Sequence, residues 1–171
     1  MSILEMSCPL CRNADEDAAH LFLHCSRIQP IWWESMSWLN LKGAAPLTPK
    51  QHFLQHMDVQ AHGVRINRWQ CWWLALTWSI WRHRNNIVFS NETFNANKLF
   101  DDAIFNLWTW LRNFEKGFTI HFNQWSSNIR QGFCTSSGQH MYISSIPIPW
   151  FPLRICMSEC GTIVMVLLAV I

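Results

Sequence analysis

Charge is what this sequence has least of. Asp, Glu, Lys and Arg make up 14% of its 171 residues, against a usual share of about 25%. With an apolar fraction of 50%, so little charge excludes an intrinsically disordered chain, which combines low hydrophobicity with high net charge. Gly and Pro are scarce too, at 6 and 7, which excludes collagen-like and Pro/Gly-rich low-complexity classes. No basic-then-apolar leader opens the sequence, so no secretory signal is expected; the chain is expected inside a cell, in nucleus or cytoplasm, with reduced thiols. No apolar run reaches the roughly 20 residues that span a bilayer. Residues 72–81 are closed off by Arg68 and Arg82, and residues 161–171 are too few, so no membrane anchor is expected.

What the chain has in excess is Trp: 12 of them, beside 11 Phe and 1 Tyr. Helically spaced Trp reads as core or interface rather than as a device for stacking bases. The length suits one domain or a small domain with an appendage, and such a chain can bury roughly 70% of its unfolded surface. A net charge of +2 does not by itself call for a nucleic acid or a membrane. The sign is uneven, however. Residues 1–25 hold Glu5, Asp15, Glu16 and Asp17 against Arg12, whereas residues 65–91 hold Arg65, Arg68, Arg82 and Arg84 with no acid.

Periodicity predicts a mainly α fold of three to four Trp-rich helices. Residues 26–39 read as the first, with Ser26 as N-cap, Pro30 tolerated in the first turn, and Ile28, Ile31, Trp32, Ser35 and Leu39 on one face. Thr48-Pro49-Lys50-Gln51 opens a short second helix, by cap, first-turn proline and capping-box glutamine; Phe53, Leu54 and Met57 give it an apolar face, and Gly63 lies beyond its end. Residues 65–88 are the longest periodic segment. Ile66, Trp69, Trp73, Leu76, Ile80 and Ile87 share one arc of about 80°, and Leu74, Trp78 and Trp81 form a second strip on the back. Arg65, Arg68 and Arg82 lie off the main arc; Arg84, at its edge, reads as a buried anchor stacked on Trp81 or Phe89. A further helix, capped by Asn95 or Asn97, carries Leu99, Ala103, Ile104, Leu107, Trp108, Leu111 and Phe114 and stops at Gly117. Residues 118–122 alternate and read as a short strand. The chain thus divides into residues 1–39, 48–125 and an irregular, divergent tail at 126–171, where Pro147, Pro149 and Pro152 forbid helix.

One motif carries specific chemistry: Cys8-x2-Cys11-x8-His20-x4-Cys25. A C-x2-C turn delivers two thiolates to one ion, and three thiolates with a neutral imidazole fill a tetrahedral zinc site completely. Such a site is structural, with no open position for a substrate, and its net charge is −1. His24 competes with His20, but it directly precedes Cys25, and two adjacent helical residues do not reach one ion easily. Cys71 reads as a packing residue. Cys156 and Cys160, with Cys134 and His140, lack the partners for a convincing second site. His52, His56, His62 and His121 read as exposed; His52 and His56 could share a metal but have no evident third ligand. Asp101-Asp102 reads as a solvated helix face.

These residues carry a resemblance. Cys8-Pro9-Leu10-Cys11, Glu16, His20 to Cys25, Ile31-Trp32 and Trp38 look like the zinc-binding region that follows the reverse transcriptase of plant LINE-type (non-LTR) retrotransposons. Trp78-Ser79-Ile80-Trp81-Arg82-His83-Arg84-Asn85-Asn86-Ile87-Val88-Phe89 is similar to the Trp-x-Ile-Trp-x-x-Arg-Asn stretch of that region, and Phe122-x-x-Trp125 matches its end. The resemblance covers residues 8–125. It implies a small zinc knuckle leading into helices, one structural Zn²⁺, and a role in gripping RNA or DNA while the polymerase works. There are departures. The knuckle starts already at residue 8, the tail after 130 differs, and neither paired polymerase aspartates nor an endonuclease is visible, so no enzymatic activity is expected.

Zinc knuckles are RNA-binding modules, but the acidic start of this one opposes phosphate binding, which needs Lys/Arg. The basic candidates are Arg65, Arg68 and Arg82. Two other readings stand beside nucleic-acid association: a helical module whose Trp surface docks on the rest of the reverse transcriptase, or a decayed relic without function. Arg82 beside an exposed Trp78–Trp81 strip would favour nucleic acid; the same strip without arginine would favour docking.

Overall fold

A proline, a threonine and an asparagine decide where three of the helices begin. In the computed structural model, which describes residues 7–41, 43, 45–55 and 66–134, α1 (Gln29–Trp38) carries Pro30 in its first turn, where a missing N–H costs nothing. Ser26 is not its cap. The Cys25 carbonyl accepts the Ile28 and Gln29 amides at 2.8 and 2.9 Å, which leaves Ser26 with nothing to satisfy and exposed. The expected face is buried throughout: Ile28, Ile31, Trp32, Ser35 and Leu39. α2 (Pro49–Leu54) starts as its sequence dictates, with Thr48 Oγ1 accepting the Gln51 amide at 3.2 Å. Its buried face differs from the expected one. His52 and Phe53 go inside and Leu54 is exposed, because His52 Nδ1 accepts the Trp73 indole N–H at 2.9 Å. Met57, Gly63, His56 and His62 lie outside the described residues.

The body is a helical hairpin. α3 (Ile66–Ser90) is 25 residues long, about 37 Å at 1.5 Å per residue. α4 (Ala96–Phe114) follows after a short connection and is capped by Asn95, whose side chain accepts the Lys98 amide at 3.0 Å. Trp69, Trp73, Leu76 and Ile80 of α3 are buried, as are Leu99, Ala103, Ile104, Leu107 and Leu111 of α4. Cys71 is buried as a packing residue, and burial pushes its thiol up to about 12. Leu74, read from the sequence as part of a back strip, is buried as well; Trp78 and Trp81 are half-buried. Gly117, at φ +89°, turns the chain after α4.

Residues 118–121 are not a strand. Phe118 is buried and Ile120 half-buried, while Thr119 and His121 face out, so the alternation is real. It threads an extended segment over the core with no neighbouring strand among the described residues; the Ile120 carbonyl is satisfied by the Trp108 indole N–H at 2.9 Å. Nor is the chain irregular from residue 126. α5 (Phe122–Ser127) and α6 (Ile129–Cys134) close the hairpin's end, with Trp125 and Phe133 buried. The remainder of the expected tail, with Cys156 and Cys160, lies outside the described residues.

Aromatic rings join these helices. Trp32 of α1 meets His52 of α2 at 4.5 Å and Trp73 of α3 at 6.4 Å between centroids. Trp38 meets Trp72 at 5.0 Å and Phe133 at 5.9 Å, and Phe133 meets Trp125 at 5.9 Å. Such pairs bury large area in defined geometry. Among the described residues the fold is mainly α, and its only bridge between extended segments is Ser7–Asp15.

Candidate metal centre

The first turn of the site is built by hydrogen bonds that its sequence allows. Cys8 donates its amide to the Ala14 carbonyl and its carbonyl accepts the Arg12 amide, both at 2.8 Å. Arg12 takes φ +57° to close the loop, and the Ser7–Asp15 bridge pins the loop's base. Cys8 and Cys11 thereby face the same point, and the Asn13 amide lies 3.5 Å from Cys11 Sγ.

The second half is a π-turn, His20–His24, in which the Cys25 amide donates to the His20 carbonyl at 2.7 Å. An α-helix would place residues five apart about 140° from each other. The wider i→i+5 closure brings Cys25 back over His20. Asp17 starts the turn, its Oδ1 accepting the His20 amide at 2.6 Å; Asp17-x-x-His20 has the spacing of a cap, a signal legible in the sequence. Leu21, Phe22 and Leu23 between the two ligands are buried, and the Phe22 carbonyl accepts the Trp32 indole N–H at 2.7 Å, which fastens the turn to α1.

The structure brings together all of Cys8, Cys11, His20 and Cys25: their ligand atoms lie within 4.8 Å of one another. The Cys8 and Cys25 Sγ atoms are 4.0 Å apart, and Cys11 Sγ is 3.3 Å from His20 Nε2. A tetrahedral ion with bonds of about 2.3 Å to sulfur and 2.0–2.1 Å to nitrogen spaces sulfurs about 3.8 Å and a sulfur–nitrogen pair about 3.5 Å apart. His24 is not part of the cluster. Burial raises the Cys8 thiol, and it pushes Cys25 up to about 12, with the neighbouring Cys8 and Cys11 thiols adding to the effect. Burial acts on Cys11 too, but the Asn13 amide and the neighbouring thiols outweigh it and lower its pKa. Three crowded thiols cannot all ionise without a cation among them, which is the electrostatic condition a metal ion meets. Cys8, Cys11, Cys25 and Cys71 are free thiols.

The basic candidates separate. Arg65 lies outside the described residues. Arg68 is no surface cation: it is buried, its guanidinium grips Glu115 at 2.5 and 2.7 Å, donates to the Gly132 carbonyl and lies 5.2 Å over the Phe118 ring. Arg82 is exposed. Arg84 is a half-buried anchor, but on a carboxylate rather than a ring: its Nη2 and Nε reach Glu16 at 2.7 and 3.1 Å. This pair joins the knuckle loop to α3, a partnership invisible in sequence because the residues are 68 apart. His121, Asp101 and Asp102 are exposed.

No family model, no curated protein and no solved structure matches this chain.

Proposed function

We propose that this chain is a non-catalytic zinc-binding module of a retroelement reverse transcriptase, in which one structural Zn²⁺ is held by Cys8, Cys11, His20 and Cys25 and the helical body associates with RNA or DNA. The observation that carries the reading is the convergence of those four ligand atoms within 4.8 Å. A closed set of three thiolates and an imidazole favours zinc and leaves no position for a reacting group. The Glu16–Arg84 pair supports the resemblance, because it joins the two separate stretches on which the resemblance rests. For nucleic acid, Arg82 stands exposed beside the half-buried, stacked Trp78 and Trp81, whose rings are 5.0 Å apart.

A specific observation favours the second reading, a module that docks on the rest of the polymerase: Arg68 is consumed by Glu115 inside the fold, which removes a cation from the surface. Two measurements test the pair of readings. Elemental analysis of the purified chain is expected to give about one zinc per molecule, lost on Cys8→Ser with Cys11→Ser; a folded, metal-free wild type sinks the zinc reading. RNA or DNA binding is expected to weaken steeply with salt and to fall on Arg82→Ala. Salt-independent affinity, equal in wild type and variant, would favour docking.

A further inference from the structure

The second half of α3 has a face that opens to water toward the end of the helix. At 100° per residue, Trp81, Arg82, Asn85 and Phe89 fall within an arc of about 100°, while the buried Trp69, Leu76 and Ile80 point the opposite way. Phe89 is 78% exposed, the most open aromatic ring among the described residues; Arg82 is exposed, and Trp81 and Asn85 are half-buried. Trp81 and Phe89 stand about 12 Å apart along the axis, room for more than one nucleotide at about 3.4 Å each in a stacked strand.

Charge decides what fits this face. α3 carries no acidic residue along its whole length. Of the acids close to α3, Glu16 is held by Arg84 at 2.7 Å and Glu92 by Lys98 at 3.2 Å, while Asp102 acts on His83, which points away from this face. A second exposed aromatic patch, Phe105 with Trp108 and Phe122, differs in this respect. Exposed Asp101 sits one turn before Phe105, and Arg112 already lies 4.9 Å over the Trp108 ring. Resting on the nucleic-acid reading above, we infer that the α3 face is a stacking strip for a single-stranded nucleic acid. Phe89 takes an unpaired base, Trp81, stacked on Trp78, backs the strip, Arg82 takes a phosphate, and Asn85 offers a carboxamide to a base edge. Rings that stack on bases need those bases out of a duplex, so the strip selects single strands.

The test uses the full zinc-loaded chain and labelled oligouridine of about 16 nucleotides, against an RNA duplex of equal length, by fluorescence anisotropy over a salt series. The single strand is expected to bind more tightly than the duplex. Phe89→Ala is expected to weaken single-strand binding about tenfold, or about 1.4 kcal/mol, with the salt slope unchanged; Phe89→Trp keeps the affinity. Arg82→Ala is expected to reduce the salt slope by about 0.7. Phe105→Ala, at a ring 51% exposed on α4, is expected to change nothing. Phe89 touches no core, so circular dichroism of its variants should match wild type. Unchanged binding in Phe89→Ala, or equal affinity for duplex and single strand, overturns the strip while salt-sensitive binding leaves the nucleic-acid reading standing. A folded, zinc-loaded chain that binds neither probe overturns both.

Discussion

Arginine behaves in three ways in this molecule, and neighbours decide which. Arg68 and Arg84 are four turns apart on one helix, yet each ends on a carboxylate from a distant part of the chain, Glu115 and Glu16. Bidentate pairing of this kind is stronger and more specific than a surface ion pair. Arg68 does the more demanding task, since a buried guanidinium without its partner is costly. Arg82, between them, stays in water. His83 shows the same logic for a base. It is buried, its Nε2 accepts the Asn95 amide at 3.1 Å, and its ring meets Phe94 at 5.4 Å. Burial lowers its pKa below the ordinary value of 6.5, and the Lys98 charge adds to this against Glu92 and Asp102. The unfolded chain therefore takes up the proton first as pH falls. Stability from this residue is complete above about 6.5 and is lost progressively below it. Urea midpoints measured from pH 7.5 down to 5.5 in excess zinc, values chosen to bracket roughly that pKa, are expected to fall more in wild type than in His83→Gln. Parallel curves would remove His83 from the account.

At the scale of elements, small closures matter more than long helices. The π-turn His20–His24 makes His20 and Cys25, five residues apart, face one point, and Asp17 and Cys25 close its ends. α6 is placed by an absence of side chain. A Cβ on Gly132 would meet the Trp125 ring at 2.0 Å, and the Gly132 carbonyl is where Arg68 donates. Gly132→Ala is therefore expected to push Trp125 away from Phe118 and Phe133 and to destabilise the chain by about 1–3 kcal/mol, read as a lower urea midpoint. An unchanged midpoint would mean that α6 lifts off without loss. The indole N–H groups of Trp72 and Trp125 are buried without an acceptor, so at these positions ring packing outweighs an unmade hydrogen bond.

For the whole molecule, the knuckle and the hairpin hold each other. The Arg84–Glu16 pair crosses between them and the Trp32–Phe22 hydrogen bond ties the knuckle to α1, while α3 and α4 bury their own shared face. Removing the proposed zinc should therefore act unevenly. Hydrogen–deuterium exchange after chelation is expected to show lost protection over residues 8–25 and at Trp32, with the α3–α4 core still protected. Uniform loss would mean that metal and body unfold as one unit; no loss would mean that the metal does not hold the knuckle.

The sequence by itself determined the main helices, α1 to α4, and the Cys/His cluster. Periodicity reports which faces avoid water, caps such as Thr48 and Asn95 are local chemistry, and Cys8, Cys11, His20 and Cys25 lie within one short stretch, so their convergence needs only a turn. What it misjudged depends on distant partners. Arg68 read as a surface cation until Glu115 and Gly132 were brought to it. His52 read as exposed until Trp73 supplied a donor. Residues 118–121 alternate like a strand, but only the fold decides whether another strand lies beside them. Residues 129–134 became helical where Trp125, Phe133 and Arg68 gave them a place to pack. Local propensity fixes where a helix can start and stop; tertiary structure alone decides which charge meets which, because that depends on chain segments far apart in sequence arriving side by side.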